Sequence, residues 1–211
     1  MKKVAVLLDG AFVLSNLYRL LNQRQPNARE VWSYARACVR LEDEELFRIY
    51  FYDCPPYEGN ERNPLSGEVT DFSQTRTSDR RKQLHEELSY MDFVAFRRGV
   101  LAFNGWRLGR RAIEYLIREP RPLLSGDLEP DLEQKRVDMK IGLDVAWLST
   151  RHIVDRIILV TGDSDFVPAM KFARREGLQV VLVTMGSFIK QEMKEHADEI
   201  RQVEFGAAES A

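Results

Sequence analysis

Two hydrophobic rhythms alternate along the chain. Short, largely apolar runs at residues 4–8, 47–52, 93–96, 156–160 and 179–184 are separated by longer stretches whose apolar residues recur every three or four positions. The first rhythm is that of strands buried on both faces of a parallel sheet, the second that of amphipathic helices. Residues 11–21 carry Phe12, Leu14, Leu17, Leu20 and Leu21 at helical spacing. Asn27 and Glu30 form a capping box for a helix through residue 41. Further helices are expected at 78–91, 135–148, 166–175 and from Ser187 to about residue 201. Strands alternating with helices imply right-handed crossovers and a three-layer α/β/α sandwich on a mainly parallel sheet of about five strands, Rossmann-like. The reading is a single domain over residues 1–205. It has a loop insertion near 55–77 and a basic hairpin near 97–111 that turns at Asn104-Gly105. A linker at 119–130 and a disordered tail at 206–211 complete it.

The chemistry concentrates at the ends of two of these runs. The run at 156–160 breaks at Thr161-Gly162 and then presents Asp163 and Asp165 around Ser164, before Pro168 restarts the chain as a helix. The N-terminal run ends the same way, at Asp9-Gly10. Carboxylates at the carboxyl ends of parallel strands sit where open α/β sheets bind ligands. Adjacent strands would aim three carboxylates at one crevice, where they repel unless a cation joins them. Oxygen-only donors suit Mg²⁺ or Mn²⁺. The plain alternative is that Asp165 only caps the helix that follows, which accounts for one aspartate and not two. Asn16 is a candidate for supporting Asp9 from the first helix. Thr161 and Ser164 are candidates for orienting ligands, since no histidine is placed to activate them as nucleophiles. Asp138 falls in the first turn of its helix, where a carboxylate is favoured anyway. Asp144, six positions on, is the weaker metal candidate and can equally pair with Lys140.

Composition narrows the partners. A formal net charge of −2 over 211 residues gives no global attraction to a polyanion, so one must be gripped locally. The local grip is the basic, aromatic stretch from Arg97 to Arg111, with Phe103, Trp106, Arg98 and Arg107. Basic groups hold phosphates and rings stack on unpaired bases, which suits single-stranded nucleic acid. A solvated hairpin explains the same residues equally well. Lys135 and Arg136 are further phosphate-steering candidates. Cys38 and Cys54 have no metal-ligand spacing and read as reduced thiols, an expectation of a cytoplasmic protein. Asp9 interrupts the opening apolar stretch and no run approaches a membrane span, so neither a signal peptide nor a membrane is expected.

Leu7-Leu8-Asp9-Gly10, Lys135-Arg136-Val137-Asp138 and Val160-Thr161-Gly162-Asp163-Ser164-Asp165-Phe166-Val167-Pro168 together resemble the NYN domain family, PIN-like ribonucleases, and its LabA-like branch in particular. The resemblance implies a PIN-like sandwich with Asp9, Asp138, Asp163 and Asp165 as an acidic cluster around a divalent metal for RNA hydrolysis, Asp144 being a lesser member. The family often has asparagine soon after the first Asp-Gly; here Ala11-Phe12 follows and Asn16 comes later. The expected function is a Mg²⁺- or Mn²⁺-dependent ribonuclease on RNA. Its rivals are a non-catalytic RNA-binding module and a haloacid-dehalogenase-like phosphatase. The second wants an aspartate where Ala11 stands. Oligomeric state is left open, a homo-oligomer included.

Overall fold

A computed structural model describes residues 1–205; the tail expected from 206 lies outside the described residues. In chain order the elements begin β1 (Lys2–Asp9), α1 (Gly10–Leu20), α2 (Ala28–Ala37), β2 (Glu44–Asp53), β3 (Asn60–Arg62), β4 (Val69–Asp71), α3 (Arg76–Ser89) and β5 (Val94–Arg98). They continue with β6 (Val100–Leu108), α4 (Arg110–Arg118), β7 (Leu128–Lys135), α5 (Val137–Thr150) and β8 (Arg156–Val160). The last are α6 (Val167–Arg175), β9 (Gln179–Val183), α7 (Gln191–Glu195) and β10 (Glu199–Arg201). The chain divides into two compact units. The larger comprises Met1–Asp53, Leu84–Gly99 and the chain from Arg136 on; the smaller comprises Cys54–Gln83 and Val100–Lys135.

The larger unit is built on a six-stranded sheet in the order β10-β9-β8-β1-β2-β5, every neighbouring pair parallel. The strand order reverses direction at β1 and β8, so the topological switch point of the sheet lies between them. Alternation along the strands sends Val4, Val6, Leu8, Ile158 and Val160 to one face, where Val13 and Leu17 of α1 and Val31 and Ala35 of α2 cover them. Ala5, Leu7, Ile157 and Leu159 are equally buried and face the other way. The Tyr52 hydroxyl bonding to Asp144 at 2.9 Å shows that α5 lies over this second face. Helix α5 buries Val137, Ile141, Val145 and Leu148. Each such side chain contributes on the order of 1.5–3 kcal/mol. This is the expected three-layer sandwich, with six strands in place of about five. Asn27 and Glu30 form the expected capping box, and α2 ends at Ala37 and not residue 41.

A buried ion cluster pins the sheet. Glu44, fully buried at the start of β2, accepts from Arg156 of β8, from Arg201 of β10 (2.8 and 2.9 Å) and from the Arg40 amide (2.7 Å). Burial alone would push its carboxyl up. The Arg201, Arg40 and Arg156 hydrogen bonds override it and hold the pKa down at about 2.

Several expectations are corrected. The helix expected through residue 201 stops at Glu195, and β10 follows. Asp198 closes the edge, its carboxylate accepting from the Val180 amide at 2.7 Å. In the smaller unit, Asn104-Gly105 does not turn the chain. Strand β6 runs through it and pairs antiparallel with β7, with a bulge between Phe103 and Trp106 that Gly105 makes possible at φ +106°. Its partner β7 arises from what reads as the end of a linker. The stretch at 55–77 holds the small antiparallel pair β3–β4. Helix α4 has no counterpart in the sequence expectations. Among the described residues no helix is long and apolar enough to cross a membrane.

Candidate active site

Leu8 of β1 pairs with Val160 of β8, so the two strands reach the switch point together and the residues that follow, Asp9 and Thr161, meet there. Thr161 is fully buried. Its hydroxyl donates to Asp9 Oδ2 at 3.0 Å and accepts the Asp163 amide at 3.1 Å. Gly162 runs under the Phe12 ring, where a Cβ would stand 2.7 Å from a ring carbon, so a larger residue would displace the motif. Asp163 then caps the short 3₁₀ turn Ser164–Phe166, its Oδ1 accepting from the Asp165 amide at 2.9 Å. The capping role suggested for Asp165 therefore falls to Asp163. Helix α6 starts one residue later than expected, at Val167. Asp9 likewise caps α1, accepting from the Phe12 amide at 3.3 Å. Each cap occupies one carboxylate oxygen.

Asp138 comes from the first turn of α5, just after Arg136 enters the left-handed region at φ +71°. The acids are coupled electrically. Burial raises the Asp9 pKa most, the Thr161 hydroxyl and Phe12 amide oppose it, and the charges of Asp138 and Asp163 raise it further. Asp138 is raised by burial and then by the charges of Asp163 and Asp165. Thus Asp9, Asp138, Asp163 and Asp165 share one electrostatic neighbourhood. Oxygen donors of this kind fit a hard divalent cation. Among the described residues no three His, Cys, Asp or Glu side chains stand close enough together to hold a metal ion as they are drawn up here. The exposed carboxylates of Asp163 and Asp165 are the members with room to turn inward.

Other candidates are placed elsewhere. Asp144 is taken by Arg97 (2.8 and 3.3 Å) and by the Tyr52 hydroxyl, and forms no pair with Lys140. Arg97 in turn lies over the Tyr50 ring at 5.1 Å, so its charge is already committed. Arg98 is exposed above Phe96. Asn16 is buried and makes no bond to Asp9. It donates to the Phe12 carbonyl at 2.8 Å and accepts from Arg19 and Ser187. Arg107 and Lys135, in the smaller unit, pair with Glu129 and Glu133 respectively. Ser164 accepts from Lys190 Nζ at 2.8 Å. Lys190 brings a positive charge to the acidic motif from the loop before α7, twenty-six residues on in sequence. Nothing in the local pattern around Lys190 announces that, because the contact depends on how β8 and β9 are paired.

Residues 104–204 match the family model of the NYN domain. Over that stretch, just under half of its length, the chain is similar to the NYN domain family. The NYN match contains Asp138, Asp163 and Asp165 and stops short of Asp9, which the sheet pairing brings to the same place. Among curated proteins none matches the sequence. Among solved structures, the crystal structure of a protein of unknown function from Vibrio parahaemolyticus is similar in fold, with a TM-score of 0.52 at 18% identity over 94% of this chain and 90% of that one.

Proposed function

We propose that this chain is a divalent-metal-dependent ribonuclease, PIN-like and of the LabA-like branch, acting on single-stranded RNA. The carrying observation is the single buried Thr161 hydroxyl that bonds both the Asp9 carboxylate and the Asp163 amide at the switch point of the sheet. It supports a site assembled from two strand ends, with Asp138 and Asp165 close enough in charge to be felt. Asp9, Asp138, Asp163 and Asp165 would hold Mg²⁺ or Mn²⁺. When bound, such an ion polarises a phosphodiester and lowers the pKa of a bound water. The chain's own part is to orient Asp9 through Thr161, to fix the Asp163 loop through its cap, and to offer Lys190 and Arg136 to phosphate oxygens. Asp144 is left to hold Arg97.

The second reading is a non-catalytic RNA-binding module, favoured by the spread of the carboxylates. One experiment separates the two. Asp163→Asn should abolish Mn²⁺-dependent cleavage of unstructured RNA while binding to the same RNA in chelator persists. Binding by the parent with no metal-dependent cleavage above that of Asp163→Asn would leave the module.

A further inference from the structure

The smaller unit encloses a cavity that the acidic site does not use. Its volume is about 310 Å³, at the small end of ligand pockets, which run from roughly 300 to 1,000 Å³. Tyr57, Phe72, Leu101 and Leu132 supply its apolar lining. The Tyr57 ring is held in place. Phe103 stacks on it with centroids 5.7 Å apart and planes at 21°, Phe72 meets it edge-on at 5.7 Å, and its hydroxyl is tied to Glu61. A ring fixed in this way is a ready stacking platform for another flat ring.

The polar lining is equally specific. Thr75, Thr77, Ser78 and Arg81 come from the start of α3, and no carboxylate is among the lining residues. Ser78 is 2% exposed and its hydroxyl has no hydrogen-bond partner among the described residues. Its backbone amide donates to the Thr75 hydroxyl at 3.2 Å. Buried hydroxyls are rarely left in this state, because an unmade hydrogen bond is costly. A group that completes it would bond to Ser78 while stacking on an apolar wall. Arg76 and Arg80, both exposed, stand on the same helix.

We propose that this cavity is a nucleotide pocket, taking one unpaired nucleobase. The base stacks in the aromatic part, and an edge donor or acceptor satisfies Ser78. The nucleotide is either free or one residue of an RNA strand; only the second source rests on the ribonuclease reading.

The test uses the full chain in chelator, with no divalent metal, and isothermal titration of uridine monophosphate, adenosine monophosphate and a short single-stranded oligoribonucleotide. The parent should bind, and Ser78→Ala should weaken binding about tenfold, the worth of one lost hydrogen bond. Its melting temperature should hold or rise, since an unpartnered hydroxyl has been removed. Tyr57→Leu, which keeps apolar bulk and removes the ring face, should weaken binding as well. Binding of the monophosphates supports a free-nucleotide site, and binding of the oligonucleotide alone supports a strand subsite. No binding by the parent of any of the three, or unchanged affinity in Ser78→Ala, would overturn the proposal. Because the measurement is free of metal and of cleavage, a failure of the aspartate site leaves its outcome unmoved.

Discussion

Glu44→Gln is the most informative perturbation of the frame that carries the site. Glu44 supplies the charge that answers both Arg156 and Arg201. In the variant Arg201 keeps Glu199, but Arg156 is left with the neutral Gln179 side chain (2.8 and 3.1 Å). The carboxyl titrates at about 2 in the fold against a reference of 4.5. At about 1.4 kcal/mol per pKa unit, that difference is roughly 3 kcal/mol at neutral pH. This agrees with the roughly 3–5 kcal/mol lost when one partner of a buried ion pair is removed. Since the folded pKa is depressed, the contribution is complete above pH 4.5 and fades as pH falls toward about 2. At pH 3 it should be down to about 1.4 kcal/mol. Thermal melts followed by circular dichroism at pH 7 should place Glu44→Gln roughly 6–12 °C below the parent. At pH 3 the gap should shrink to about half or less. A gap under about 2 °C at pH 7, or one equally wide at both pH values, would refute the argument that charge in this cluster holds the sheet.

Two further predictions probe the aspartates. Asp163→Asn keeps an oxygen to accept from the Asp165 amide, so the cap survives and only charge is lost. The raised Asp9 and Asp138 pKa values favour folding only at low pH and disfavour it as pH rises through them. In chelator at neutral pH the variant should therefore melt slightly higher. The gain should be about 1 kcal/mol at most, since Asp163 is exposed and screened. Mg²⁺ or Mn²⁺ should stabilise the parent more than the variant; a lower-melting variant beside a metal-indifferent parent would count against the site. Asp144→Asn should keep most of the cleavage activity that Asp138→Asn loses, at a stability cost of about 1 kcal/mol from the lost Arg97 pair. Equal inactivation of the two would put Asp144 back in the site.

The sheet of the larger unit was legible because its strands are buried on both faces. Unbroken runs such as Ile157–Val160 have no other reading in a chain of this length. The smaller unit was not, for a physical reason. Strands β6 and β7 mix exposed charge with half-buried rings, so neither period dominates, and Asn104-Gly105 serves a bulge as readily as a turn. Their pairing joins Val100 to Lys135, a contact between residues far apart that no window of sequence contains. The same limit hid Lys190 and β10. The basic residues from Arg97 to Arg107 were visible as charge, but what neutralises them was not: Asp144 holds Arg97, and Glu129 and Asp131 hold Arg107.

Asp138 and Asp144 show how far helical geometry alone carries the assignment. Six residues at about 100° each separate them by about 240°, so one helix cannot aim both at one point. Which of the two belongs to the acidic site is decided by the sheet beneath. Strand order puts β2 and β5 on one side of β1, and β8 on the other. Asp144 meets Tyr52 of β2 and Arg97 of β5, and is neutralised there. Asp138 feels Asp163 and Asp165, which follow β8. A carboxylate already paired with a guanidinium has little to give an incoming metal. One held against two like charges gains most when a cation arrives, so the switch point, and not the helix, selects Asp138.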